Sequence, residues 1–309
     1  MKRIVRMTFM VLVSMLLFTN HGWVQSPAKW QVSQAWAYVQ FQSAEPDGYT
    51  LRRFRPMLVV ANGHWRGLVE LQIGLTNTLV RAQCDYWMHS VPVFDPVAIR
   101  GGQFTNMMLF LEQSPDTKHF VTYALDDHYI TNQYDIGATL IWVKGKTLGQ
   151  LQLVNGAGRS VPDNNRQQDV IAYLKIRPVG WLTCEAGMQT GHQPDGYRLA
   201  AYMHVDLHPV SAWTVQAGLV AKKHVTENRG WYLSSLYDLT HAVRLTGRAV
   251  QRTQWKTATL AGQQVTDDFE YTAGLELKLG PLRLQPNLIL AYDRDPELAG
   301  VAQLNIVLK

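Results

Sequence analysis

The sequence predicts an all-β chain that closes as a transmembrane antiparallel β-barrel of about sixteen strands. Three observations carry this reading. Apolar and polar residues alternate in segment after segment from residue 36 to the end, the period-two signature of strands with unlike faces. Short and long connections alternate along that series. Tryptophans recur beside the short connections, at Trp65, Trp87, Trp142, Trp181 and Trp213.

The chain opens on an export signal. Lys2, Arg3 and Arg6 lead into the apolar run MTFMVLVSMLLF, a basic start followed by an apolar core. That run is too short to cross a bilayer as a helix. Val24-Gln25-Ser26 fits a cleavage point by position, so the signal is expected over 1–26. Ala35-Trp36-Ala37 has the small-x-small form and would extend it to 37. One barrel domain is then expected over 36–309. The formal charge of +5 falls to +2 without Lys2, Arg3 and Arg6, and to +1 if Lys29 also goes. So small an excess argues against a nucleic-acid partner. At 309 residues with 17% charged side chains and 10 Trp, the chain suits one large β domain.

Strands are expected at 36–42, 49–61, 64–75, 79–89, 97–104, 134–144, 147–156, 168–178, 181–191, 197–208, 212–222, 230–240, 242–252, 267–279, 282–292 and 300–308. Tight links follow several even-numbered strands, at Asn62-Gly63, Gly145-Lys146, Val179-Gly180, His241 and Gly280-Pro281. Longer stretches such as SAEPDG, GAGRSVPDNNRQ, HVTENR, QWKTATLAGQQVTD and DRDPELAG lie on the other side. Short periplasmic turns and longer outer loops are the habit of bacterial outer-membrane barrels.

The faces agree. In 267–279, Phe269, Tyr271, Ala273, Leu275 and Leu277 oppose Asp268, Glu270, Thr272, Glu276 and Lys278. A soluble sandwich with one wet face also alternates. The strands here are longer than the usual ~5–6 residues and match the ~9–11 that cross a bilayer at a tilt. Tryptophan at strand ends suits a membrane interface, where the ring is buried and its N–H stays wet. Cys84 and Cys184 fall on outward positions of distant strands and are expected as small apolar residues without a disulfide.

One connection is out of proportion. After the fifth strand comes TNMMLFLEQSPDTKHFVTYALDDHYITNQ, the length a pore needs to fold a constriction loop into its own lumen. Around it lie TLRRFRPML at 50–58, Gly102-Gln103-Phe104, YDIGATL at 134–140, Val154-Asn155-Gly156-Ala157-Gly158 and Asp163-Asn164-Asn165 before DVIAYLKIRP. In these residues, over roughly 38–190, the chain resembles the phosphate-selective porins of the O and P type. The resemblance implies a sixteen-stranded, usually trimeric diffusion channel whose third outer loop enters the pore. It also implies a basic third loop that traps an anion, and here the chain departs. Residues 105–133 carry Lys118, His119 and His128 against Glu112, Asp116, Asp126 and Asp127. Phosphate selectivity is therefore not carried over.

The expected pore lining is basic at Arg53, Arg55, Arg66, Arg81, Arg100, Lys175, Arg177, Arg198, Arg244, Arg248 and Arg252, with Lys222, Lys278 and Arg283 on the same face. Glu112, Asp116, Lys118, His119, Asp126 and Asp127 are the constriction-loop candidates. Arg244, Arg248 and Arg252 recur at every fourth residue, roughly 13 Å apart along a strand, as a basic track would. Inner acids at Glu70, Asp85, Asp135, Asp169, Glu185, Asp206, Asp238, Glu270 and Glu276 nearly balance them. Ordinary lumen ion pairs are the favoured reading, with at most a mild anion preference. The run from His204 through Asp206 to His208 resembles metal-ligand spacing. Its outer pair is too far apart on a strand, roughly 13 Å, for one zinc with bonds of about 2 Å. Ser234, Ser235, Asp238 and His241 are near in sequence, but nothing there fixes a nucleophile beside a base.

The expectation is thus a porin in a Gram-negative outer membrane, passing small hydrophilic solutes or ions. It is expected to sit in outer-membrane lipid as a homotrimer, without cofactor, metal or enzymatic activity. The alternatives are a barrel with a structural or surface-interaction role and no transport, and a secreted β-sandwich.

Overall fold

The computed structural model describes residues 30–44, 48–73, 78–89, 91–106, 134–157, 167–193, 196–224, 226–259, 262–279, 282–293 and 295–308. The signal at 1–26 and the long connection after the fifth strand lie outside them.

Among the described residues sixteen strands form one closed antiparallel sheet. They are β1 (Gln31–Ala44), β2 (Gly48–Asn62), β3 (Trp65–Gln72), β4 (Thr78–Met88), β5 (Val97–Thr105), β6 (Tyr134–Lys144), β7 (Thr147–Val154) and β8 (Asp169–Val179). There follow β9 (Leu182–Gln193), β10 (Gly196–Val210), β11 (Trp213–Lys223), β12 (Thr226–Asp238), β13 (Val243–Thr259), β14 (Gly262–Leu279), β15 (Leu282–Asp293) and β16 (Asp295–Leu308). Each strand pairs with its neighbour in sequence, and β1 closes on β16 from Ala37 opposite Leu308 to Ser43 opposite Ala302. Closure leaves no open edge, so the backbone satisfies its own hydrogen bonds where lipid offers none. At ~4.8 Å between strands and a tilt of ~40°, such a wall has a backbone radius of roughly 16 Å.

The tight turns at Asn62-Gly63, Gly145-Lys146, Val179-Gly180 and His241 sit where the sequence puts them, and Gly280-Pro281 lies outside the described residues. Gly63, at φ 54°, and Gly145, at φ 55°, open two of them in the left-handed region that glycine tolerates. The opposite side differs from expectation. Segments predicted as outer loops continue as paired strand: β13 runs to Thr259 opposite Gly262, and β15 runs to Asp293 opposite Asp295. The stretch HVTENR likewise runs into β12, which starts at Thr226. A strand that rises beyond the bilayer meets water on both faces, so it loses the alternation that marks it as strand.

Outward positions are apolar and bare. Leu219 is 59% exposed and Leu288 51%, while inward Gln189 and Glu276 are at 0%. Leu140, Leu151, Leu174, Met188, Met203, Leu233 and Leu245 extend the exposed apolar band around the wall. A soluble sandwich would bury this face and wet the other. The reverse arrangement selects a lipid-facing barrel.

Trp65, Trp142 and Trp213 sit on the outer face at the tight-turn ends, with Trp181 exposed in the turn before β9. Trp65 packs against Tyr86 with ring centres 4.7 Å apart, and the Trp213 indole donates to Ser235 Oγ at 2.9 Å. Trp87 departs from this belt, because it alternates with Asp85 on the inner face. Cys84 and Cys184 are free thiols on outer positions of β4 and β9.

Candidate functional site

The inner wall is a set of ion pairs. Glu70 on β3 lies 3.7 Å from Arg55 Nη1 on β2 and 2.5 Å from Arg81 Nε on β4. Arg55 also donates to Gln72 Oε1, at 2.7 and 3.0 Å, and to the Tyr134 hydroxyl at 3.1 Å. Its neighbour strand β1 carries no carboxylate. Arg100 on β5 grips Asp85 with both nitrogens, at 2.7 and 3.0 Å. Arg66 lies opposite Asp85 in the β3–β4 register. For Arg53 only the backbone place is described, opposite Gln40 on β1.

Farther round, Lys175 on β8 meets Glu185 on β9 at 2.5 Å. Arg198 on β10 reaches over β9 to Asp169 on β8, and the Gln189 amide joins that carboxylate at 2.6 Å. This reach depends on Gly191: a Cβ there would overlap the Asp169 carboxylate. Arg198 also donates to the Gly156 carbonyl at 3.3 Å, tying the end of β7 to the same strut. Arg177 is exposed near the tight-turn end of β8.

On β13 the predicted track takes carboxylates instead of forming a bare ladder. Arg244 holds Asp238 at 2.6 and 2.9 Å and lies 3.8 Å from Glu276. Arg248 and Arg252 share Glu270, at 2.9 and 3.1 Å. Strand register and barrel closure bring opposite charges together, as ordinary lumen pairing requires. The constriction-loop candidates Glu112, Asp116, Lys118, His119, Asp126 and Asp127 lie outside the described residues.

The wall holds more than sequence reasoning assigned. Val154, Ile171, Tyr173, Tyr202, Val220, Tyr232 and Val250 form a buried cluster on the inner side of β7–β13. Its signal in the sequence was faint: tyrosines on the polar face, opposite inward glycines. Tyr232 lies across Gly218, where a Cβ would meet its ring. The Tyr232 hydroxyl bonds His204 Nδ1 at 2.5 Å, and His204 Nε2 is 3.0 Å from Asp206. His208 turns to Thr214 at 3.1 Å, so the two histidines take separate partners. Ser234 is buried on the inner face, Ser235 is exposed, and Asp238 is engaged by Arg244. These residues form no nucleophile–base pair.

The stretches quoted for the porin resemblance meet in space. Arg55, from TLRRFRPML, bonds Tyr134, from YDIGATL, across 79 residues of sequence. Gly102 sits at φ 117°, and a Cβ there would overlap the Ala82 carbonyl. The next residue, Gln103, is buried and donates to the Leu79 and Val80 carbonyls at 2.8 and 2.9 Å. The Asp163-Asn164-Asn165 stretch lies outside the described residues.

The fold is that of an outer-membrane porin barrel. A loop-deletion mutant of OmpT, an outer membrane protein of Vibrio cholerae, matches with a TM-score of 0.67 and 9% identity, over 88% of this chain and 97% of that one. OmpF of Salmonella typhi, in complex with daunomycin, matches at 0.66 and 8%, over 89% and 96%. A mutant porin of Rhodopseudomonas blastica matches at 0.60 and 10%, over 91% and 99%. At such identities the likeness concerns the fold. No family model matches the chain. No curated protein matches it in sequence. The resemblance to phosphate-selective porins therefore stands on the quoted residues, and the comparisons reach the porin barrel in general.

Proposed function

We propose that the chain is a porin of a Gram-negative outer membrane, exported by its N-terminal signal and passing small hydrophilic solutes or ions by diffusion. One observation carries the reading: the closed sixteen-strand wall turns its apolar face outward and its charged, ion-paired face inward. A barrel of this strand number encloses an aqueous channel. The lumen keeps charge tolerable because water and paired neighbours solvate it. Among the described residues the guanidinium groups of Arg55 and Arg81 share the one Glu70 carboxylate, which supports a mild anion preference. The mixed charge of the connection at 105–133 speaks against a dedicated phosphate trap. Assembly as a homotrimer in outer-membrane lipid follows from the same reading, and one Vibrio cholerae OmpT structure is described as a trimer form. The inner wall works by lining a path, without enzymatic chemistry.

Conductance across a planar bilayer tests this. Purified, heat-modifiable barrel should insert with discrete ion-conducting steps. A folded sample that never conducts would leave the structural or surface-interaction role as the better account. Phosphate block and the reversal potential in a salt gradient test the two finer points, anion trapping and the sign of selectivity.

A further inference from the structure

We propose that His64 and His89 form a binding site for a single divalent transition-metal ion, zinc-like in its preference, at the tight-turn rim of the barrel. The two imidazoles come from different hairpins. His64 lies in the turn between β2 and β3, and His89 follows the end of β4. Their ring centres are 5.6 Å apart with planes inclined at 41°. Two imidazoles sharing one tetrahedral zinc, at bonds of about 2.0–2.1 Å, place their ring centres about 5 Å apart. The observed ring-centre separation is close to that distance.

The tautomer of His64 leaves a nitrogen open for a metal. Its Nδ1 lies 2.8 Å from the Trp87 carbonyl oxygen. A carbonyl only accepts, so Nδ1 carries the proton and Nε2 presents its lone pair. An imidazole whose other nitrogen donates to a backbone carbonyl is oriented and made more basic, the usual support for a metal-ligating histidine. The turn itself is held, since the Trp87 N–H donates to the His64 carbonyl at 2.7 Å. Tyr86, with its ring centre 5.9 Å from that of His64, walls one side. Both histidines are exposed, so water reaches the ion and completes its shell. No group of three or more His, Cys, Asp or Glu able to hold a metal occurs among the described residues. The site is therefore a two-histidine clip, an exchangeable site and not a closed cage. It links two hairpins at the rim and does not depend on whether the barrel transports anything.

Zinc titration of the full, detergent-folded barrel by calorimetry tests the inference. Wild type should take up one zinc per chain. His64→Ala and His89→Ala should each weaken that uptake at least tenfold. His89→Asn guards against a packing effect of the alanine and should weaken it equally. His208→Ala and His241→Ala remove other exposed histidines of the same rim and should leave uptake unchanged. Heat-modifiable gel mobility confirms that each variant is folded. No saturable uptake by wild type, or uptake kept by either His64→Ala or His89→Ala, overturns the site.

Discussion

Glu70→Gln tests whether the wall's ion pairs set selectivity. Two guanidinium groups, Arg55 and Arg81, share the Glu70 carboxylate, so its neutralisation removes one negative charge from beside both. The backbone radius of roughly 16 Å, less the reach of a side chain, puts the lumen axis about 10 Å from this charge. A unit charge at that distance in water is worth ~0.4 kcal/mol to a monovalent ion. Screening cuts this to ~0.3 kcal/mol at 0.01 M salt and ~0.15 kcal/mol at 0.1 M. Anions gain what cations lose, so the anion-to-cation permeability ratio should rise about threefold at 0.01 M and less than about twofold at 0.1 M. Arg81→Gln should move the ratio the other way by a similar factor. The assay is the reversal potential of single channels in a KCl gradient at both salt levels. Freed guanidiniums destabilise a buried site, so heat-modifiable mobility must first show the variant folded. Equal reversal potentials for wild type, Glu70→Gln and Arg81→Gln at 0.01 M would show that these charges do not set the selectivity of the lumen.

Three other outcomes follow from the wall. Leu219→Arg sets a charge mid-strand on the lipid face of β11 and should cost about 2–4 kcal/mol in reversible unfolding from lipid; a neutral effect would mean that this face is not lipid-facing. Gly191→Ala drives a Cβ into the Asp169 carboxylate and separates it from Arg198 and Gln189. Breaking so buried a pair should cost about 3–5 kcal/mol, read as a lower urea midpoint, and wild-type stability would show that Arg198 does not need this window. Residues Gln31–Ala37 pair with Pro56–Ala61 of β2, so signal removal should leave them in place. Mass spectrometry of the mature chain should find an N-terminus before Gln31, and a start after Ala37 would contradict it.

The sequence could be read wherever one strand face meets lipid and the other meets the lumen. The expected 134–144 is β6 (Tyr134–Lys144), because every second residue there answers to a different solvent. The outer ends of β12–β14 lack that contrast and still pair. Position at a strand end suggests a belt residue for Trp87, but its parity with Asp85 sets it on the inner face. Alternation marks the inner residues but not their partners. Arg198 finds Asp169 two strands away only because Gly191 leaves the path open, and Arg55 finds Tyr134 through curvature that no local pattern encodes. The sequence-near His204 and His208 separated because register offered each a nearer partner.

The inner wall is unequal around its circumference, and this bears on the proposed pore. On β8–β10 the pairs balance, Lys175 with Glu185 and Arg198 with Asp169, beside tyrosine and aliphatic side chains. Among the described residues, Arg55 and Arg81 share Glu70, and Arg248 and Arg252 share Glu270. Balanced pairs close on themselves and project little field, whereas a carboxylate shared by two guanidinium groups governs the field of both. Glu270 is the weaker case, since Asp268 lies opposite Arg252 in register. An anion preference would then arise mainly from the β2–β4 side, and an ion would feel the two sides of the pore differently. This is why Glu70, more than any member of the Arg244–Arg252 track, is the residue whose neutralisation should move the selectivity.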